Sequence, residues 1–198
     1  NCHFYDTLVD RIVPGFPKET INEIKEEIGF DDNLVVKGEY FHVWAIGGDS
    51  SIKKLLPLDQ SGLNVLFMDD IREFRAKKVR ILNGSHTGMV PVALQLGCAT
   101  VMDAFSTPEV EKFINTMVST EVLPVIDEDP EELKKFAGKI LERFYNPYLK
   151  HYLKDISLNS LSKWETRNFP TVKDNYTKLN KNARLNSFSF AALLVLYS

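Results

Sequence analysis

"DDIREFRAKKVRILNGSHTGMVPVALQLG", from Asp69 to Gly97, decides the fold. Two aspartates stand where a helix N-terminus favours negative charge, and Gly97 stands where a helix stops. The apolar residues between them recur at helical spacing, so the stretch reads as one long helix. Lys78, Asn83 and His86 interrupt its apolar surface, and Gly84 and Gly88 each cost about 1 kcal/mol relative to alanine in a helix interior. At about 100° per residue, with Lys78 at zero, His86 falls near ~80° and Asn83 near ~140°. All three then share one side, bordered by Val79, Leu82, Met89, Val90 and Ala93. Polar groups beside a core need partners, and glycines there point to close approach by a neighbouring helix or a ligand. A purely structural reading competes: a solvated basic run in "RAKKVR", an asparagine that bends the helix, and a satisfied core histidine. From spacing alone that reading is the stronger.

Downstream the pattern stays helical. "TPEVEKFINTMVSTEVLPVI" opens on Thr107-Pro108, and "DPEELKKFAGKILERFY" opens on Asp129-Pro130 and closes before Asn146-Pro147. Beyond Pro147, "YLKHYLKDISLNSLSKWETR", "TVKDNYTKLNK" and the apolar last stretch read as shorter helices. Upstream, "PKETINEIKEEIG" carries Ile21, Ile24 and Ile28 on one helical face and stops at Gly29. "NLVVKGEYFHVWAIGG" reads as a β-hairpin turning at Lys37-Gly38-Glu39, and "LNVLFM" from Leu63 as a third short strand. The expectation is a mainly α, multi-helix single domain over residues 1–198 with a small β-hairpin near its N-terminus.

Composition narrows the function. With 24 basic against 27 acidic residues and a net charge of -3, the chain has no general field for nucleic acid or an anionic membrane. Its longest apolar run, Phe190 to Tyr197, is shorter than the ~20 residues a membrane helix needs. Cys2 and Cys98 form no disulfide framework and fit a reducing cytoplasm. His3, His42, His86 and His151 show no ligand spacing, so no metal is expected. G-x-G-x-x-G, P-loop, H-E-x-x-H and C-x-x-C patterns are absent from the sequence, and Gly47-Gly48-Asp49 reads as a turn. The chain lacks an initiator Met and ends inside an apolar run, so we expect a piece of a longer protein, truncated at its C-terminus.

K-x-x-x-x-N-x-x-H, here Lys78, Asn83 and His86, resembles the catalytic motif of the polyol-specific long-chain dehydrogenases and reductases, the mannitol dehydrogenase family. "FYDTLVDRIVP", Phe4 to Pro14, resembles that family's signature, and "NPYLKHYLKDISLNSLSKWETR" resembles a later segment in which a Ser-Lys pair, here Ser162-Lys163, faces substrate. Within the family, "TLVDRIVPG", "GEYFHVWAI", "KVRILNGSHT" and "RFYNPYLKHYLKDISLNSLSK" look most like the branch that interconverts tagaturonate and altronate. The other branches, acting on fructuronate and mannonate or on mannitol and its phosphate, stand as alternatives. A helical interaction module without activity is the rival from another class.

The resemblance implies a C-terminal domain with the helical fold of 6-phosphogluconate dehydrogenase C-terminal domains, joined near residues 1–16 to a separate N-terminal Rossmann domain. NAD would be held mainly by that Rossmann domain, and a hexuronate or aldonate would be the substrate. Lys78 would be the general acid or base, Asn83 would donate to the developing alkoxide, and His86 would orient the substrate. Arg75, Lys77 and Arg80 in sequence, with burial, would disfavour the charged form of Lys78. Lys163, Arg167 and His151 are candidates for the substrate carboxylate; surface charge is the competing reading, and the stronger one for Arg167 and His151. Asp6 stands where the family commonly has an oxyanion-binding asparagine, and a carboxylate there would repel an alkoxide unless protonated.

Overall fold

The computed structural model describes residues 2–198, in two compact units that meet in sequence between Arg75 and Ala76.

The first unit is built on a three-stranded sheet: β1 (Asp6–Asp10), β2 (Val43–Gly47) and β3 (Val65–Met68), in that order. β1 runs antiparallel to β2, with Asp6 opposite Gly47 and Asp10 opposite Val43, and β2 runs parallel to β3. Parallel neighbours need a crossover; here it contains the short helix α2 (Ile52–Leu55), which follows helix α1 (Ile21–Ile28) in the chain. Gly29 closes α1 at a φ of 78°, the left-handed geometry that favours glycine.

The expected hairpin at Lys37-Gly38-Glu39 does not form. The Glu39 side chain accepts the Ile12 amide at 2.6 Å, the Arg11 Nε donates to the Glu39 carbonyl at 2.8 Å, and Lys37 bridges only to Gly15. Those bonds hold the turn on the segment after β1, and β2 takes the signature strand as its partner instead.

Helix α3 (Arg72–Lys78) leads into the second unit, which is helical among its described residues. Its centre is α4 (Gly84–Gln95), buried along almost its whole length. A helix covered on all sides shows no single apolar stripe. Around it follow α5 (Val101–Phe105), α6 (Pro108–Met117), α7 (Pro130–Glu142), α8 (Leu153–Ser157), α9 (Ser160–Arg167), α10 (Phe169–Leu179) and α11 (Arg184–Leu196). α6, α8, α9 and α11 all pack on α4. Asp129 caps α7 through bonds from the Glu131 and Glu132 amides at 3.1 and 3.0 Å. Thr107 does not cap α6; its hydroxyl donates to the Asp103 carbonyl at 3.0 Å, although Pro108 begins the helix as expected.

The long helix read from Asp69 to Gly97 is interrupted. Val79–Asn83 is a π-turn between α3 and α4, closed by the Gly84 amide on the Val79 carbonyl. A second π-turn, Val118–Val122, extends α6. Such i→i+5 turns add one residue to a helix, and they recur at functional sites.

Candidate active site

The π-turn alters the geometry that helical spacing alone implies. One added residue turns everything beyond it back by about 100°, so Asn83 moves from ~140° to ~40° from Lys78, and His86 from ~80° to about -20°. By this count the three positions fall within about 60° of one another around the helix axis. Lys78 is 8% exposed and His86 5%, while Asn83 is half-buried.

The two glycines serve helix packing. A Cβ on Gly84 would lie 3.5 Å from the Arg167 carbonyl, and one on Gly88 only 3.0 Å from the Met117 Cε. Protein neighbours, α6 and the junction of α9 with α10, account for the close approach.

His86 is the best-defined member. Its ring stacks on Phe144 with centroids 4.2 Å apart and meets the His151 ring edge-on at 5.2 Å. Among the described residues, its buried Nε2 has no hydrogen-bond partner. Burial pushes its pKa well below the usual value of 6.5, and the positive fields of His151, Arg167, Arg143 and Lys78 push the same way. These neighbours are all basic. An anion beside the ring is complementary in charge to this set.

Arg167, on the last turn of α9, donates from Nη1 to the Thr87 hydroxyl at 3.2 Å. Burial lowers its pKa. His151 and Arg167 are thus half-buried groups that bear on the His86 ring. Lys163 points elsewhere: its ammonium donates to the Ile156 carbonyl at 2.9 Å, at the end of α8, where cations suit the exposed carbonyls. Burial and then Arg167 lower its pKa. Sequence reasoning missed Arg143 and Phe144, which follow α7 in "LERFY" as a short 3-10 turn; packing of Phe144 on His86 reveals them.

Arg75, Lys77 and Arg80, expected to bear on Lys78, have carboxylates of their own. Lys77 pairs with Glu128 at 2.6 Å and Arg80 with Asp174 at 2.7 Å, while Arg75 lies 3.9 Å from Asp6. A matched cation exerts a much weaker net field. Asp6 belongs to the first unit, where it lines a 540 Å³ cleft with Tyr5, Gly48, Asp69 and Asp70. Lys78, Asn83 and His86 do not line that cleft.

The model of the mannitol dehydrogenase C-terminal domain matches residues 70–197, which include every residue of the His86 cluster. This chain belongs to the mannitol dehydrogenase C-terminal domain family. Family relatives include the altronate oxidoreductase of Bacillus subtilis (strain 168), 47% identical over 98% of this chain and 40% of its own length. That of Bacteroides thetaiotaomicron is 42% identical over 99% of this chain and 41% of its own. The chain therefore spans about 40% of the length of these curated relatives. Two solved structures share the family fold. Pseudomonas fluorescens mannitol 2-dehydrogenase, in a ternary complex with NAD and D-mannitol, matches with a TM-score of 0.80 at 21% identity, over 97% of this chain and 38% of its own. Substrate-free D-sorbitol dehydrogenase matches with a TM-score of 0.79 at 23% identity, over 96% of this chain and 39% of its own. Among the described residues, no helix is long and apolar enough to cross a membrane.

The depressed pKa of His86 has a measurable consequence. An unfolded histidine takes up its proton near pH 6.5 and the buried one only well below that, so the unfolded state binds more protons in this window. Stability is unaffected by this group above pH 6.5 and falls as pH drops below it, by up to about 1.4 kcal/mol per pH unit. Urea unfolding between pH 7 and pH 5 should show this slope, and His86→Gln should flatten it. An unchanged slope in the variant would assign the acid sensitivity to other groups.

Proposed function

We propose that this chain is the catalytic and substrate-binding part of an altronate oxidoreductase, that is, a tagaturonate reductase, interconverting tagaturonate and altronate. The observation that carries the reading is the basic set around an unpartnered His86 nitrogen: His151, Arg167, Arg143 and Lys78. A sugar acid needs positive charge for its carboxylate and hydrogen-bonding groups for its hydroxyls, whereas a neutral hexitol needs only the second. The 40–47% identity to enzymes named altronate oxidoreductase supports the same branch.

Lys78 would take the hydroxyl proton in oxidation and return it in reduction. Its ammonium form supplies the proton that ketone reduction requires, and its amine form accepts one in alcohol oxidation. The Asn83 carboxamide would donate to the oxygen as it gains negative charge. His86 would hold a neighbouring hydroxyl through Nε2; a buried nitrogen left unpaired costs about 1–3 kcal/mol, which a bound hydroxyl recovers. Arg167 and His151, with Arg143, would hold the carboxylate. Lys163, tied to a backbone carbonyl, would shape this pocket more than contact the substrate. Amine, amide and imidazole serve the proton side of the reaction and offer no acceptor for hydride, so the donor set fits a partner of the NAD type. A nicotinamide, held mainly by a separate Rossmann domain, would supply that acceptor. Both cysteines are free thiols, which fits a cytoplasmic enzyme.

A substrate screen of the intact enzyme tests the reading. We expect kcat/KM for altronate to exceed that for mannitol by at least about a hundredfold, the worth of one or two charge-assisted bonds. Preference for mannitol would refute the sugar-acid assignment, and preference for mannonate would move it to the neighbouring branch.

A further inference from the structure

Two buried asparagines on one face of α10 each hold a carbonyl at one of the π-turns. Asn168, at the start of α10, donates from Nδ2 to the Gly84 carbonyl at 3.0 Å. Gly84 is the residue whose amide closes the π-turn on Val79, and it lies between Asn83 and His86. Asn175, seven residues on, donates to the Glu121 carbonyl in the second π-turn at 2.7 Å.

A single chain of bonds joins the two turns. The buried Glu121 side chain accepts the Leu185 amide at 2.7 Å, the Asn186 amide at 2.9 Å and the Asn186 Nδ2 at 2.8 Å, fixing the first turn of α11. The Asn186 Oδ1 accepts from the Asn168 Nδ2 at 3.0 Å, and that same Nδ2 reaches Gly84. The network sets the orientation of both amides. With Asn168 flipped, its oxygen would face two acceptors; with Asn186 flipped, its oxygen would face a carboxylate. Asn168, Asn186 and Glu121 are 2%, 0% and 6% exposed, and every bond of the chain except the part-buried one from Leu185 is buried.

We propose that Asn168, oriented by Asn186 and Glu121, is a positioning residue that holds the π-turn register and thereby aims Lys78 and Asn83 at the reacting oxygen and His86 at the hydroxyl beside it. The inference rests on the catalytic reading of those three residues. If the π-turn relaxes to α-helix, Asn83 and His86 turn by about 100° relative to Lys78. Reactivity depends steeply on such placement, and a displacement of ~1 Å costs on the order of a hundredfold in rate. Asn175 is a matched control, because it is equally buried and bonds a π-turn carbonyl on the other helix.

The test uses the intact enzyme with Asn168→Ala, Asn168→Ser, Asn175→Ala and Lys78→Ala. Asn168→Ala should lower kcat for altronate oxidation by about a hundredfold, leave KM within a few-fold, and shift the pH–rate profile because the amine no longer meets the hydroxyl squarely. Asn175→Ala should lower the melting temperature comparably with kcat retained. If Asn168→Ala does not fold, Asn168→Ser, which cannot reach both acceptors, carries the same expectation. Wild-type kcat and pH profile in the folded Asn168 variants, with Lys78→Ala inactive, would overturn the positioning role alone. An active Lys78→Ala would overturn the catalytic reading beneath it.

Discussion

Lys78→Ala in the intact enzyme is expected to lower kcat for altronate oxidation by about a thousandfold, within the range that a positioned general base supplies, while NADH binding measured by fluorescence stays unchanged. The side chain is buried at 8% exposure, one π-turn from Asn83, and it adds its charge to the field on His86. Removing the amine removes the proton acceptor and leaves the fold of α3 intact, because alanine is the best helix former. Turnover within tenfold of the parent would show that another group moves the proton.

Arg167→Leu should separate acid sugars from neutral ones. Hydrogen bonds to charged groups are worth about 1.5–3 kcal/mol, so KM for altronate should rise by roughly tenfold to a hundredfold. The KM for any hexitol the enzyme accepts should hardly move. Arg167→Lys should restore only part of the loss, because a single ammonium cannot match the two-pronged fit of a guanidinium to a carboxylate. Equal losses on both substrate types would mean that Arg167 supports the fold through Thr87 and does not bind the carboxylate.

The sequence displays the polar trio because Lys78, Asn83 and His86 lie within nine residues of an otherwise apolar helix. It does not display the π-turn that brings them into register. "VRILN" has ordinary helical composition, and the side-chain bond that meets the end of the turn at Gly84 comes from Asn168, more than eighty residues away. The helix stops at Gly29 and Gly97 and the cap at Asp129 are local signals, and they appear where local rules place them. The hairpin expectation fails for the opposite reason. Lys37-Gly38-Glu39 has turn composition, but the buried bond from Ile12 to Glu39 and the pairing of Val43–Gly47 with β1 are long-range choices. Arg143 and His151 follow the same rule. Both lie in the family-like stretch from Arg143 to Lys163, but their place beside the trio shows only in the stacking of Phe144 and the edge-on contact of His151 on His86.

The most direct measurement is a crystal structure of the intact enzyme with oxidised coenzyme and altronate, trapped by Lys78→Met. The reacting hydroxyl should lie within hydrogen-bonding distance of Asn83 and against the end of the substituted side chain, with another hydroxyl on His86 Nε2 and the carboxylate on Arg167. Altronate bound with its reacting carbon away from Asn83 and the residue-78 side chain, or with no hydroxyl on His86 Nε2, would contradict the convergence of these three side chains on the reacting end of the substrate.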